Sequence, residues 1–293
     1  MGRPVMSDMA TRVGVVGAGL MGSGIAEVCA RAGCDVVVTE SDAAAAAAGA
    51  ARIRASLDRA VRSGKLSESD STAAWKRVSV SADLGDHADR DLVIEAVPED
   101  EELKARVFTA LDRVVRDPEA ILASNTSSVP IMKLGMMTSR PQHVIGIHFF
   151  NPVPVLKLVE LVPSLLTSDK TAARAEQFTE GTLGKHAIRC PDRAGFVVNS
   201  LLVPFLLSAI RMLESGLASA RDIDDGMVHG CAHPMGPLAL ADLIGLDTTR
   251  SIAHSLYEEF KEPLYAPPPL LSRMVDAGLL GRKSGRGFHE YAR

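Results

Sequence analysis

Arg12-Val-Gly-Val-Val-Gly-Ala-Gly-Leu-Met-Gly-Ser-Gly-Ile-Ala26 decides the fold of this chain. It begins as a short apolar run and passes through Gly17, Gly19 and Gly22 in the spacing G-x-G-x-x-G. It ends in residues that favour helix, so the order is strand, turn, helix. Gly17 serves the tight turn, Gly19 lets backbone N–H groups approach a pyrophosphate, and Gly22 lets the helix pack closely on the strand. Leu20 and Met21 fall between the second and third glycines, where the first N–H groups of the helix and its positive dipole end meet an anion. The next apolar run, Asp35-Val-Val-Val-Thr-Glu40, ends in an acid 18 residues beyond Gly22. An acid at that distance takes the hydroxyls of an adenosine ribose.

Working outward, 293 residues are enough for two domains. With 46% apolar and 23% charged residues the composition is globular, and a net charge of −4 gives no electrostatic case for nucleic acid or an anionic membrane. No apolar run reaches the length of a membrane span, and Met1-Gly-Arg-Pro-Val-Met-Ser-Asp8 has no hydrophobic signal core, so a cytoplasmic protein is expected. Cys29, Cys34, Cys190 and Cys231 form no C-x-x-C pair and are expected to be reduced thiols.

After Glu40, Asp42 caps an alanine-rich helix expected to run from Ala43 to about Val61. Its Arg52, Arg54, Arg59 and Arg62, with Lys65 beyond, form either a solvated basic face or a landing site for the phosphates of a large substrate. Thr39, Ser41 and Asp42 put no cation beside Glu40, which favours NAD over NADP. Lys76–Ala82 and Asp91–Val97 read as further strands, Pro98–Arg113 as a helix with an acid-rich start, and Ala120–Ser124 as the next strand. That strand runs into Asn125-Thr-Ser-Ser128, and polar residues at the carboxyl end of a parallel strand lie where open α/β sheets bind ligands.

Val144–Pro152 places His148 at the end of an apolar strand, and Leu156–Val162 places Glu160 within another. The turn Asn151-Pro-Val-Pro154 between them can return the chain so that the two side chains meet. A carboxylate beside an imidazole fixes its tautomer and compensates its charge, as a general acid/base requires. Such a pair also occurs as a purely structural hydrogen bond; the nearby glycine turn favours the catalytic reading.

Beyond Pro191-Asp192 the pattern changes. Gly195–Leu213 reads as a long helix, apolar nearly all round and kinked at Pro204, which must be buried, in part against a second subunit. Helices are expected at Ala220–Val228, Met235–Leu243, Thr248–Phe260 and Leu270–Ala277. His229, Cys231 and His233 lack a further convincing ligand, so no metal is expected. The tail Gly281–Phe288 is basic and Gly-rich, either a mobile terminus or a cationic flap near phosphates or a nicotinamide. The expected fold is α/β, a Rossmann-type, mostly parallel sheet over residues 1–191 followed by an all-α domain over 192–293.

From about Arg12 to Tyr291 the chain resembles the short-chain L-3-hydroxyacyl-CoA dehydrogenases. The resemblance lies in Gly17-Ala-Gly-Leu-Met-Gly-Ser-Gly-Ile-Ala26, Ala123-Ser-Asn-Thr-Ser-Ser128, His148-Phe-Phe-Asn-Pro-Val-Pro154, Leu158-Val-Glu-Leu161, Gly195-Phe-Val-Val-Asn199, Pro234-Met-Gly-Pro237, Gly245-Leu-Asp-Thr-Thr249 and Gly281-Arg-Lys-Ser-Gly285. It implies that His148 is the catalytic acid/base and Glu160 its partner, and that Ser127 and Asn199 hold the substrate's 3-oxygen and help orient the histidine. It implies further that Glu40 binds the ribose, that Glu99, Lys104, Asn125 and Lys283 line the cofactor, and that Ser56 contacts coenzyme A. The family's lysine seven residues after that serine falls on Ser63 here, with Arg62 and Lys65 nearby, and Ser200 stands where many members carry arginine. The implied reaction is reversible NAD-dependent oxidation of a (3S)-3-hydroxyacyl-CoA, 3-hydroxybutyryl-CoA above all, in a homodimer serving fatty-acid or butanoate metabolism.

Two other readings compete. A β-hydroxyacid dehydrogenase would carry a lysine where this chain has Gly195. A non-catalytic NAD-binding protein would not need both His148 and Glu160.

Overall fold

Valine-rich and isoleucine-rich runs bounded by glycine and acidic residues make the strands, and alanine-rich or amphipathic stretches between them make the helices that cover both faces. The computed structural model describes residues 11–291, so the start Met1–Asp8 lies outside the described residues. The chain divides into two compact units between Asp192 and Arg193.

In the first unit β1 (Arg12–Val16), α1 (Leu20–Arg31), β2 (Asp35–Thr39), α2 (Ala43–Arg62), α3 (Glu68–Trp75) and β3 (Val78–Ser81) form the opening half. The rest comprises β4 (Leu92–Glu95), α4 (Glu101–Val114), β5 (Ile121–Ser124), α5 (Ile131–Gly135), β6 (Val144–Phe149), β7 (Leu158–Val162), α6 (Asp169–Gln177) and β8 (His186–Arg189). One sheet runs in the order β3-β2-β1-β4-β5-β6-β7-β8. Neighbours are parallel except β6 and β7, which are antiparallel. The strand order turns back between β1 and β4, so the carboxyl ends of these strands form the crevice where such sheets take ligands.

Several boundaries differ from the sequence reading. Asp100 caps α4 by accepting from the Leu103 N–H at 2.7 Å, so the helix starts at Glu101 rather than Pro98. The strand expected from Lys76 begins at Val78, and that expected from Leu156 begins at Leu158. The short helix α3 was not expected. It has no apolar stripe to betray it, only a cap in which Ser67 accepts from the Asp70 N–H at 3.0 Å.

Beneath the glycine turn, His87 is fully buried, with Nε2 2.8 Å from the Thr39 hydroxyl. Its Nδ1 has no hydrogen-bond partner among the described residues, and Gly14 carries no side chain because a Cβ there would strike that ring. Burial, reinforced by Arg90, pushes the imidazole down to about 4. The unfolded chain, with an ordinary histidine near 6.5, therefore binds the extra proton first. Stability is intact above pH 6.5 and falls as the pH drops toward 4, by about 3 kcal/mol from this group. Thermal unfolding of wild type and His87→Met between pH 7 and 4 tests this. The variant should lose less stability over that window; equal losses would remove His87 as the cause.

The second unit is helical: α7 (Val198–Glu214), α8 (Ala220–Cys231), α9 (Pro237–Ile244), α10 (Leu246–Phe260) and α11 (Pro269–Asp276). Its core gathers Val203, Leu206, Leu207, Ile210, Leu238, Leu246, Leu256 and Leu271. The helix α7 continues through Pro204. Within the single chain Leu201 is 74% exposed and Met212 41%, on the face of α7 turned away from that core. No described helix is long and apolar enough to cross a membrane.

Candidate active site

The glycine turn joins β1 to α1. Gly17 has φ +93°, a conformation that favours glycine, and a Cβ there would stand 2.7 Å from the Ala96 carbonyl oxygen. A Cβ at Gly22 would overlap the Gly17 carbonyl oxygen, which fixes how closely α1 descends on the strand. Gly19 has open space where a side chain would be. It caps α1 without a side-chain hydrogen bond, and the first turn of α1 contains no acid. The N–H groups around exposed Leu20 and half-buried Met21 thus meet no carboxylate from the first turn of α1 itself. This cradle, open at Gly19 and positive at its floor, fits the pyrophosphate of a dinucleotide.

Glu40 follows β2, and its Oε1 accepts from the Ala18 N–H at 2.5 Å, tying the acid to the turn. Its Oε2 lies 3.3 Å from the Ser41 N–H. The sequence put no cation beside this acid; across the turn, a basic side chain reaches the other end of Ala18. Arg52, which α2 carries back across the turn, donates from Nη1 to the Ala18 carbonyl oxygen. The helix comes this close because Gly49 has no Cβ to strike that of Ala18. Elsewhere on the basic face Arg54 lies 3.5 Å from Asp58 and over the Trp75 ring. Ser56 is half-buried one turn beyond Arg52.

A charged network lies under the loop after β5. Glu95, at the end of β4, is fully buried. Its Oε1 accepts from the Lys104 ammonium and the Val97 N–H, each at 2.7 Å, and its Oε2 accepts from the Ser124 hydroxyl at 2.6 Å. Lys104 is 1% exposed and also reaches the Val97 carbonyl oxygen at 3.3 Å and Glu99 at 3.2 Å. Its three protons are therefore matched by three acceptors within the protein. Glu99 accepts at one oxygen from the Thr126 hydroxyl (2.5 Å), the Ser127 and Ser128 N–H groups (3.0 and 2.9 Å) and the Ser128 hydroxyl (2.8 Å). Burial alone would raise the Glu99 carboxyl, but Lys104 and the hydroxyls outweigh it and hold it below the usual carboxylate range. Asn125 accepts from the Phe149 N–H at 2.8 Å, joining this loop to β6. Sequence reasoning singled out Glu99, Lys104 and Asn125 but passed over Glu95.

His148 and Glu160 are direct cross-strand partners on β6 and β7. The His148 Nδ1 and Glu160 Oε2 stand 2.7 Å apart, with the carboxylate fully buried and the histidine 6% exposed. An antiparallel pair places opposed side chains on one face, which is why two residues 12 apart in sequence meet. The Phe150 ring meets the imidazole edge-on at 4.7 Å. With Nδ1 engaged by the carboxylate, Nε2 is the atom that can exchange a proton with a ligand.

The second unit holds the remaining expected residues. Asn199 is buried in the first turn of α7. Lys283 lies 2.6 Å from Asp247. The tail around it is anchored rather than free. Asp242, 1% exposed, accepts from the Phe288 and His289 N–H groups and the Tyr291 hydroxyl, each at 2.9 Å. Asp224 accepts from the first N–H groups of α9 at Leu238 and Ala239 and lies 2.7 Å from His289 Nε2. A Cβ at Gly236 would strike Asp224, and one at Gly281 or Gly287 would strike Asp242. These glycines were the available sequence signal for both aspartates. His229 belongs to α8, whereas His233 lies beyond its end and against the Phe205 ring.

Comparison with known proteins agrees with this architecture. Residues 12–193 match the family described as 3-hydroxyacyl-CoA dehydrogenase, NAD binding domain, and residues 195–291 match its C-terminal domain. The chain is 60% identical to 3-hydroxybutyryl-CoA dehydrogenase of Mycobacterium tuberculosis, an alignment covering 98% of this chain and all of that protein. It is 41% identical to the mitochondrial hydroxyacyl-coenzyme A dehydrogenase of Sus scrofa, over 95% of this chain and 90% of the other. Among solved structures, M. tuberculosis FadB2 superposes with a TM-score of 0.96 at 60% identity, over 97% of this chain and all of that one. The (S)-3-hydroxybutyryl-CoA dehydrogenase of Ralstonia eutropha gives a TM-score of 0.92 at 47% identity, with 97% and 100% covered. A glycine cradle at the carboxyl end of β1, a histidine–carboxylate pair three and four strands away and two family domains in sequence all agree: the chain belongs to the 3-hydroxyacyl-CoA dehydrogenase family.

Proposed function

We propose that this enzyme catalyses the reversible NAD-dependent oxidation of (3S)-3-hydroxybutyryl-CoA to acetoacetyl-CoA. The observation that carries the reading is the 2.7 Å pair of His148 Nδ1 and Glu160 Oε2 on the sheet that also bears the glycine cradle. In the oxidation direction His148 takes the 3-hydroxyl proton at Nε2, and buried Glu160 compensates the positive charge the ring acquires. In reduction the same nitrogen returns the proton to the oxygen. The nicotinamide, when bound, accepts the hydride from substrate C3 or supplies it there.

Ser127 and Asn199 hold the 3-oxygen by hydrogen bonds, and Ser56 contacts coenzyme A. Gly17, Gly19, Leu20, Met21 and Gly22 hold the pyrophosphate, Glu40 the ribose, and Asn125 and Lys283 further parts of the cofactor. Glu99 and Lys104 act on that site by fixing the loop that carries Asn125 and Ser127, since the Lys104 ammonium is sealed from solvent. Loss of absorbance at 340 nm with acetoacetyl-CoA and NADH tests the reaction, and the same assay with NADPH tests the cofactor. No loss with either, for acetoacetyl-CoA and longer 3-oxoacyl-CoA alike, would overturn the reading.

The enzyme acts as a homodimer in the cytoplasm on this proposal, the exposed apolar side chains of Leu201 and Met212 on α7 being covered by a second copy. Sedimentation should give twice the 31.1 kDa chain mass for wild type and a single chain for Leu201→Glu. A monomeric wild type would remove the dimer. Fractionation of cells expressing the tagged chain tests the compartment, and recovery outside the cytoplasmic fraction would refute it.

A further inference from the structure

We propose that Arg52 is the second determinant of cofactor choice: Glu40 repels a phosphate on the adenosine 2′-oxygen, while Arg52 stands on the same turn ready to receive it. The inference rests on the assignment of Glu40 to the ribose. Its physical basis is one residue, Ala18, whose N–H is held by the Glu40 carboxylate and whose carbonyl oxygen is held by the Arg52 guanidinium. An anionic and a cationic group are thereby fixed to the two ends of a single peptide residue at the mouth of the dinucleotide cradle.

The guanidinium is not simply part of a solvated face. Gly49, one turn earlier on α2, seats the helix against Ala18, so the arginine is delivered to the turn by backbone packing rather than by a flexible reach. Arg52 is exposed, and the Ala18 carbonyl engages one of its five donors. A guanidinium with donors to spare suits a phosphate, which it binds through paired, charge-assisted hydrogen bonds. The carboxylate of Glu40 opposes that use by placing like charge against the phosphate. Preference for NAD is then a balance of two groups rather than the absence of a cation.

The test measures binding of 2′,5′-ADP by calorimetry, with NADH binding followed by fluorescence, in wild type, Glu40→Gln, Arg52→Ala and the double variant. Glutamine retains an acceptor for the Ala18 N–H, so the turn persists while the charge is lost. Glu40→Gln is expected to tighten 2′,5′-ADP at least about tenfold, and Arg52→Ala added to it should cancel most of that gain. NADH binding to Arg52→Ala alone should stay within about threefold of wild type. Equal 2′,5′-ADP affinity in Glu40→Gln and the double variant would overturn the role of Arg52. No change of either nucleotide in Glu40→Gln would overturn the ribose assignment itself. A raised KM for acetoacetyl-CoA in Arg52→Ala, with nucleotide binding unaltered in every variant, would assign the arginine to coenzyme A instead and sink the proposal.

Discussion

His148→Gln is expected to lower kcat for acetoacetyl-CoA reduction by about a thousandfold, with NADH affinity unchanged within about threefold. The size follows from what the imidazole does: it supplies a proton to an oxygen that otherwise has only water, and a positioned acid/base contributes about 10² to 10⁴ in rate. Glutamine can occupy the site and hydrogen-bond to Glu160, but it has no proton to exchange near neutral pH. Glu160→Gln tests the other half of the pair. The contact survives but the negative charge does not, so kcat should fall about a hundredfold with KM little altered, because the charge matters once the ring takes its proton. Stopped-flow turnover together with a fluorescence titration of NADH separates chemistry from binding. An active His148→Gln enzyme would dismiss the acid/base assignment. A chain that binds NADH but shows no turnover even as wild type would be the non-catalytic protein that the sequence left as a competitor.

The parts of this molecule that the sequence revealed are those encoded over short distances. The strand, turn and helix at Arg12–Ala26 are legible because three glycines meet three local steric demands within one supersecondary unit. His148 and Glu160 are legible because a short return between antiparallel strands leaves little freedom in how they pair. Arg52 was visible as a charge but not as a partner of the glycine turn. Its place depends on how α2 crosses the turn, which is set by Gly49 against Ala18, a contact between residues 31 apart. The anchoring of the tail by Asp242 spans a still longer stretch, and a basic glycine-rich segment taken alone looks free. Burial is the hardest property to read from residue type. Lys104 follows an acid-rich turn of a helix with a polar face, and a lysine there is expected in solvent. Only the fold places Glu95 at the end of the adjacent strand, where it draws the ammonium inward.

That burial makes Lys104 the site of the largest expected stability effect. Lys104→Met removes the cation and leaves the Glu95 carboxylate fully buried with the Ser124 hydroxyl and the Val97 N–H as its partners. Breaking one side of a buried ion pair in this way costs about 3 to 5 kcal/mol, far more than removing an exposed pair such as Lys133–Glu101. The uncompensated carboxylate charge, rather than the missing ammonium hydrogen bonds, should account for most of that cost. Adding Glu95→Gln to Lys104→Met should therefore recover a large part of the stability, because the amide oxygen still accepts from the Val97 N–H and its NH2 donates to the Ser124 hydroxyl oxygen, without an unpaired charge. Urea unfolding of both single variants and the double variant tests this. Because the chain forms two compact units, the transition to follow is that of the first unit, read from midpoints and compared across the cycle. If the double variant were no more stable than Lys104→Met, the buried carboxylate would not be the source of the penalty. The same variants test the link to function. Glu99 clasps Thr126, Ser127 and Ser128 while itself held by Lys104, so the loop carrying Ser127 should loosen with the lysine gone. KM for acetoacetyl-CoA should then rise in Lys104→Met and stay raised in the double variant even as stability returns, since neither substitution restores the grip on Glu99.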